Sequence, residues 1–370
     1  MAQREESTSP FGTLRERPLA VVTTVAGLLV AAALVQQVAS GNVAAADLAT
    51  FTKEGLLLGA SLGLAGIGLA MTYSILNFAN FAHGDLMTAG AFAGWLTAFV
   101  VAGFGEFTIE SLLLIGGPLN LDTNALGISI TNTPLAIVLG LVVAAAASAG
   151  LALLIDRIVF QPMRDQAGIS LLIASVGVAL IIRYSLVFFF QASSRGLTAL
   201  QETPSWTIGV GAGSVTVNGN ELTLAVVAVL LMAGTHVLLQ YTKLGTAMRA
   251  MADNEDLARV TGIPTERVVR MTWLLGGGLT GAAGFLVALR QGTLTTDLGW
   301  GLLLLIFAAV ILGGIGSVYG AMVGGLVIGL TTRISLVWLP ESLAVAAAFL
   351  VLILMLLFRP NGILGGVTTV

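Results

Sequence analysis

The polar segment 77–85 is the densest group of residues in this sequence that could do chemistry. It reads Asn-Phe-Ala-Asn-Phe-Ala-His-Gly-Asp and lies between two strongly apolar runs. Its amide, imidazole and carboxylate groups can hydrogen-bond to a polar solute, but such groups are costly inside a membrane unless they face protein or a water-filled cavity. Two interpretations stay open: a short turn at the membrane surface with an asparagine cap, or a broken helix that lines a path for a solute.

Ionisable side chains inside the apolar runs are few, and the clearest are Arg183 and His236. For Arg183 we expect a structural hydrogen bond to a neighbouring helix, or a guanidinium that reaches the membrane surface, rather than a counter-ion for a solute. For His236 we expect a packed polar role rather than a proton relay. A transporter coupled to protons or sodium would usually carry a chain of intramembrane acidic and histidine residues. The sequence shows no such chain, which disfavours secondary transport.

The sequence carries no recognisable catalytic motif. It lacks a Walker A phosphate loop, paired catalytic carboxylates, an HExxH helix and a GxSxG elbow. It also has no cysteine, which excludes a zinc–thiolate site and a cysteine nucleophile. We therefore predict that the chain has no catalytic residue, binds no metal and needs no cofactor, and that any energy for active transport comes from a partner.

The composition decides the broad class of protein. Of 370 residues, 56% are hydrophobic and 9% are charged, whereas ordinary globular proteins carry roughly 25% charged residues. The net charge of −3 without a basic run argues against a nucleic-acid partner. We predict an all-α, polytopic helical protein of the cell membrane in contact with lipid, with about 8–10 transmembrane segments that include broken or half-length helices.

Runs of about 20 apolar residues, the length that crosses the hydrocarbon layer, define the expected spans. They lie at 19–38, 55–76, 86–104, 134–155, 169–190, 222–240, 271–289, 300–331 and 342–358. The run 300–331 is too long for one upright helix, and Gly313 to Ser317 is its expected break. The run 19–38 is favoured as an uncleaved anchor over a secretory signal peptide, because it is long for a signal.

Positive charges orient these spans, because short cytoplasmic loops collect lysine and arginine. The segment 241–270 holds five of the sixteen positive charges, and 156–168 holds two more. The loop 105–133 holds none. We expect 241–270, 156–168 and the N-terminus in the cytoplasm, with 105–133 and 191–221 outside. Arg359 then places the C-terminus inside, which requires the broken run to enter and leave on one face.

Three pairs of glycines four residues apart predict close helix packing within one bundle, with contact between two chains as the less favoured interpretation. The pairs are Gly59 and Gly63, Gly277 and Gly281, and Gly320 and Gly324.

The loop 241–270 is long for a connection in a compact bundle. Leu257, Val260 and Thr261 are spaced as on one helix face, and Gly262-Ile263-Pro264 is a helix stop. The pattern predicts short helices at the membrane surface. Such a segment is usually only an interfacial element, but it is also how a membrane subunit presents a knob to a soluble partner.

Four stretches in order resemble the branched-chain amino acid ABC transporter permease family of the LivH type, from about residue 55 to 366. They are Asn77–Asp85, Asp156–Arg164, Tyr241–Gly262 and Leu312–Gly325, and the ending Arg359–Gly365 agrees. The resemblance implies a permease domain at 55–366 with a coupling loop at 241–270, after an N-terminal extension at 1–54 that carries an extra anchor. It also implies two cytoplasmic ATP-binding subunits, a second homologous permease and an extracytoplasmic solute-binding protein.

The resemblance further assigns residues to roles. Residues 256–262 fit the family's EAA-x3-G docking pattern, with Asp for Glu and Leu for Ala. The expected ATPase-coupling residues are Glu255, Asp256, Ala258, Gly262 and Ile263. The expected path residues are Asn77, Asn80, His83, Gly84, Gly313, Gly314 and Gly316. The solute is expected to be a branched-chain amino acid or a related small polar molecule. Import of urea or short-chain amides, or transport without an ATPase, are the alternatives.

Overall fold

The computed structural model describes residues 18–103, 128–192, 194–198 and 203–365, with side chains from residue 29 onward. The N-terminal arginines, most of the loop 105–133 and residue 366 lie outside these ranges. The described residues fall into two compact units, one up to Thr50 together with Ile208–Val215, and the other Phe51–Thr207 together with the chain from Thr216 onward. The second unit contains the polar segment and the loop 241–270.

Helices dominate the described residues. They are α1 (Pro18–Ala39), α2 (Ala45–Leu76), α3 (Ala82–Ala102), α4 (Pro134–Ile155), α5 (Gly168–Phe190), α6 (Gly219–Tyr241), α7 (Lys243–Asp253), α8 (Glu255–Val260), α9 (Thr265–Gln291), α10 (Leu298–Gly313), α11 (Val318–Ile334) and α12 (Ala344–Phe358). A π-helical turn (Asp156–Phe160) and a 3₁₀ turn (Gln161–Met163) extend α4, and further 3₁₀ turns lie at Ser335–Val337 and Glu341–Leu343. The strands are β1 (Arg195–Gly196), β2 (Ser205–Val210), β3 (Gly213–Asn218) and β4 (Thr293–Leu294), paired as β1 with β4 and β2 with β3.

Eight helices of the described chain are long and apolar enough to cross a membrane, and α10 and the described part of α1 are shorter apolar helices. This confirms the predicted all-α polytopic class. Two boundaries differ from the expectation. The helix α2 begins ten residues before its apolar run. The helix α3 begins at Ala82, so residues 82–85 of the polar segment are helical.

The predicted break in the run 300–331 is confirmed. The helices α10 and α11 lie side by side and are joined at 314–317, where Gly314 and Gly316 have φ values of 114° and 84°. The C-terminal segment closes onto this break, since the N–H groups of Ile363 and Leu364 donate to the carbonyls of Leu312 and Gly313. The run therefore enters and leaves on one face, and the break and the C-terminal segment lie at the opposite face.

Ion pairs identify the two ends of the bundle in the second unit. At one end Arg164, which follows α4, pairs with Glu266 at the start of α9. At the other end Lys53 pairs with Glu221, and β1 pairs with β4. Residues 156–168 and 241–270 thus share one end, called the elbow end below, as the charge pattern predicted.

Glycines set the spacing between the helices. A Cβ on Gly281 would lie 2.3 Å from the carbonyl oxygen of Ala144, and one on Gly59 would lie 2.7 Å from Cα of Leu326. Close approach of backbones is what small residues permit in membrane bundles. The favoured interpretation of the glycine pairs, packing within one bundle, is confirmed for these positions.

The loop 241–270 forms two short helices, as predicted. Thr242 caps α7 through the N–H of Gly245, and Asn254 caps α8 through the N–H of Leu257. Gly262 has a φ of 88°, in the left-handed region that favours glycine, and it ends the turn after α8. Residues 241–264 are called the elbow below.

Candidate functional site

The polar segment forms the start of α3. The chain leaves α2 at Leu76 through Asn77, which has a φ of 52°. The first amides of the new helix have acceptors from the protein itself. The Phe81 N–H donates to Ser175 Oγ at 2.9 Å, and the Ala82 N–H donates to Asn80 Oδ1 at 3.0 Å. The helix start is therefore capped by the chain.

His83 shows how deep this helix start lies. Its Nε2 is 2.9 Å from the carbonyl oxygen of Ala65 and 3.1 Å from Thr280 Oγ1. Because a carbonyl only accepts hydrogen bonds, Nε2 carries the proton. Ala65 lies eleven residues before the end of α2, and Thr280 lies fifteen residues into α9. At 1.5 Å per residue these are about 16 and 22 Å from the elbow-end termini of those helices. The segment is a broken helix within the bundle, not a surface turn.

An ion pair that the sequence analysis missed lies one turn beyond the helix start. Both oxygens of Asp85, a side chain with no exposed surface, accept hydrogen bonds of 3.0 Å from Arg183 on α5. The guanidinium carbon also lies 4.2 Å from the ring centroid of Trp300. Arg183 thus has the structural partner on a neighbouring helix that was expected. The sequence did contain a signal for this pair. Asp85 and Arg183 are isolated charges beside or within apolar runs, and buried charges in a membrane protein are usually paired.

Two further polar groups surround the helix start. The Asn80 amide nitrogen, Nδ2, is buried and has no hydrogen-bond partner among the described residues. Thr88 Oγ1 accepts the N–H of Gly299 at 2.9 Å, which fixes α10 against α3. Gly84 permits this approach, because a Cβ there would lie 2.8 Å from the Gly299 carbonyl oxygen.

The predicted path residues lie in three separate places. Asn80, His83 and Gly84 lie together, buried at the start of α3. Asn77 is exposed at the elbow end. Gly313, Gly314 and Gly316 do not join the first group. Gly313 and Gly314 pack against the C-terminal segment, and Gly316 faces the last turn of α2.

A cavity of about 650 Å³ opens at the elbow end. The cavity is lined by Asn77 and Phe78, which follow α2, and by the charged side chains of Arg164, Glu255 and Arg259. Burial alone would lower the pKa of Arg164, but its hydrogen bonds and charge interactions with Asp156 and Glu266 outweigh that effect and raise it. The guanidinium therefore stays charged, and the cavity leads from the elbow to the underside of the broken helix.

The structure of the elbow differs in one detail from the expected set of ATPase-coupling residues. The Ala258 side chain is 3% exposed and packs into the chain's own core. Contrary to the expectation, it is therefore not available for contact with a partner. Glu255, Asp256 and Gly262 are exposed and Ile263 is half-buried. The apolar side chains presented by α8 are Leu257 and Val260, which are 62% and 85% exposed.

His236 has a polar partner but is not packed in the core. Its Nδ1 lies 2.6 Å from the Tyr319 hydroxyl, which also accepts a hydrogen bond from Gln240. The imidazole is exposed within the described chain, and its ring packs against the rings of Tyr241 and Tyr319.

A family model described as the permease component of a branched-chain amino acid transport system matches residues 51–358. The chain belongs to this family. It is therefore the permease component of a transport system and a multi-pass membrane protein, and not the catalytic component.

Several curated permeases are similar to this one along most of its length. The high-affinity branched-chain amino acid permease LivH of Escherichia coli K12 is 28% identical over 313 residues, which cover 84% of this chain and 94% of LivH. BraD of Pseudomonas aeruginosa PAO1 is 26% identical over 314 residues, with the same two coverages. A probable LivH of Methanocaldococcus jannaschii is 34% identical over 148 residues, 38% of this chain and 46% of that protein. No solved structure gives a significant match.

Proposed function

We propose that this permease is the transmembrane subunit of an ATP-driven importer that carries branched-chain amino acids into the cell. The observation that supports this most is the family match over residues 51–358, together with relatives named for that transport. A polar helix start in the middle of an apolar bundle is a suitable place for a small polar solute to pass.

The working complex contains two cytoplasmic ATP-binding subunits, a second homologous permease and an extracytoplasmic solute-binding protein. The permease domain is 55–366, and the extension 1–54 adds an anchor whose N-terminus lies in the cytoplasm. The elbow end faces the cytoplasm, which agrees with the five basic residues of 241–270. The solute-binding protein then meets the end that carries β1 and β4.

The solute passes the start of α3. Asn80 is the residue there with an unused donor, and His83 and Gly84 shape the same place. Asn77 lies at the cytoplasmic mouth of the path. Gly313 and Gly314 pack against the C-terminal segment and Gly316 against α2, so these glycines act in packing rather than as path residues.

The helix α8 transmits the motion of the ATP-binding subunits. Glu255 and Asp256 form its polar first turn, Gly262 and Ile263 form the turn that follows it, and Leu257 with Val260 is the apolar tip that enters a groove of the partner. We expect Val260→Glu to reduce co-purification of the ATP-binding subunits at least about tenfold, since a charge buried in an apolar contact is costly. Thr246→Glu, the same charge change at an exposed position of α7, is the control and should leave co-purification unchanged. Equal behaviour of the two variants would contradict this role for α8.

Uptake by the purified complex in proteoliposomes tests the function itself. We expect ATP-dependent accumulation of radiolabelled leucine, isoleucine and valine, and no uptake by the permease alone. Radiolabelled urea and acetamide are tested in parallel. Accumulation of these amides without accumulation of amino acids would assign the importer to amides, and uptake without ATP-binding subunits would refute the ATP-driven mechanism.

A further inference from the structure

Three aromatic rings from three different elements meet at the end of the cavity. The rings of Phe78 and Phe160 have centroids 5.0 Å apart. The Phe160 and Trp273 rings are 5.4 Å apart and parallel, with an interplanar angle of 1°. All three side chains are buried. This cluster of Phe78, Phe160 and Trp273 is called the aromatic stack.

The aromatic stack lies between the cavity and the buried polar start of α3. Phe78 and Phe160 line the cavity. Two residues beyond Phe78 the chain reaches Asn80, whose side chain is fully buried. One residue further, the Phe81 N–H bonds to Ser175. On α9, Trp273 lies seven residues before Thr280, the partner of His83, so the stack is nearer to the elbow end than the polar helix start is.

An ion-pair network holds the helix faces that carry two of these rings. Arg164 donates to both oxygens of Asp156, at 3.0 and 2.9 Å, and to Glu266 at 2.6 Å. Asp156 lies four residues before Phe160, and Glu266 lies seven residues before Trp273. Such spacings put each acidic residue on the same helix face as its ring. Arg164 thus joins α4 to α9 beneath the stacked pair.

The backbone that carries Phe160 departs from regular α-helix. Asp156–Phe160 is a π-helical turn between α4 and a 3₁₀ turn, and such turns occur frequently at functional sites. Arg259 of α8 lines the same cavity as Arg164. The cavity therefore borders both the elbow and the charged network beneath the rings.

We propose that the aromatic stack is the inner gate of the translocation path and that the cavity beneath it is the vestibule through which the solute leaves. In this structure the gate is closed. Apolar constrictions close a path by excluding water, so separating the rings admits water to the start of α3. This inference rests on the proposed transport function, but its test measures access and not transport.

The chain has no cysteine, so single reporters can be placed on both sides of the gate. Ser175→Cys reports on the side beyond the stack, where Ser175 is fully buried. Gln161→Cys reports on the vestibule, which Gln161 lines. The full complex is placed in inside-out and right-side-out vesicles, and the rate of modification by a small, charged, membrane-impermeant methanethiosulfonate reagent is measured from each side.

When the reagent is added on the side from which Gln161→Cys is modified, we expect Ser175→Cys to react slowly. Adding Phe160→Ala should accelerate the modification of Ser175→Cys at least about tenfold, because removing a ring opens an apolar constriction to water. Phe92→Ala is the matched control. Phe92 is a buried phenylalanine of α3 that stacks on Phe190 at 4.7 Å, away from the cavity, and its loss should leave the rate unchanged.

Phe160→Leu, which keeps an apolar side chain of similar bulk but loses the stack, covers the case in which the alanine variant does not fold. We expect it to accelerate labelling by a smaller factor. A folded Phe160 variant that leaves the rate unchanged, or a Phe92→Ala that raises it equally, would overturn the gate. Gated labelling in a complex that takes up no amino acid would instead refute the proposed function and keep the gate.

Discussion

The ion pair between Asp85 and Arg183 makes the strongest prediction about stability. Arg183→Leu removes the guanidinium and leaves a carboxylate with no exposed surface. Opposite charges about 3 Å apart attract by roughly 5 kcal/mol at an effective dielectric constant of about 20. The carboxyl can escape this loss by taking up a proton, which costs about 1.4 kcal/mol for each of the roughly three pH units between an ordinary aspartate pKa and pH 7. Protonation therefore limits the loss to about 4 kcal/mol.

We expect Arg183→Leu to lower the free energy of unfolding by about 3–4 kcal/mol, in the range seen when one partner of a buried pair is removed. The double variant Asp85→Leu with Arg183→Leu should recover most of this, to within about 1 kcal/mol of the parent, because it leaves no unpaired charge. Reversible unfolding in mixed detergent micelles, followed by tryptophan fluorescence, measures these differences.

An exposed ion pair provides the control for this experiment. Arg259 and Glu255 pair at 2.7 Å on α8, with side chains 62% and 48% exposed. Arg259→Leu should cost less than about 1 kcal/mol, since water screens exposed pairs. The reasoning fails if Arg183→Leu costs no more than Arg259→Leu, or if the double variant is as unstable as Arg183→Leu alone.

Three further changes test the packing of the bundle, each by the same unfolding measurement. Gly281→Ala should cost about 1–3 kcal/mol, because its Cβ would lie 2.3 Å from a backbone oxygen of α4; Gly150→Ala, which meets nothing within 4 Å, should be neutral or stabilising. Thr88→Val should cost about 1–3 kcal/mol, because it leaves the buried N–H of Gly299 without its acceptor. Gly262→Ala should cost about 1–2 kcal/mol, because its φ of 88° is unfavourable for any residue with a Cβ.

The sequence was sufficient for the class of protein, most of the spans, the break in the run 300–331 and the two short helices of the elbow. Hydropathy and charge are properties of consecutive residues, so they can be summed along the chain without knowing which helix meets which. The same sums predicted that residues 156–168 and 241–270 lie at one end of the bundle. The polar segment could be recognised as important, but its depth in the bundle could not.

Only the tertiary structure decided the depth of α3, the pairing of Asp85 with Arg183, the burial of Ala258 and the aromatic stack. Each of these depends on the offset and rotation of one helix against another. Spans that are apolar on every side show no preferred face in their sequence, because lipid and protein neighbours are equally apolar. Close contacts at glycines such as Gly281 fix the offset and rotation, and they exist only once the helices have come together.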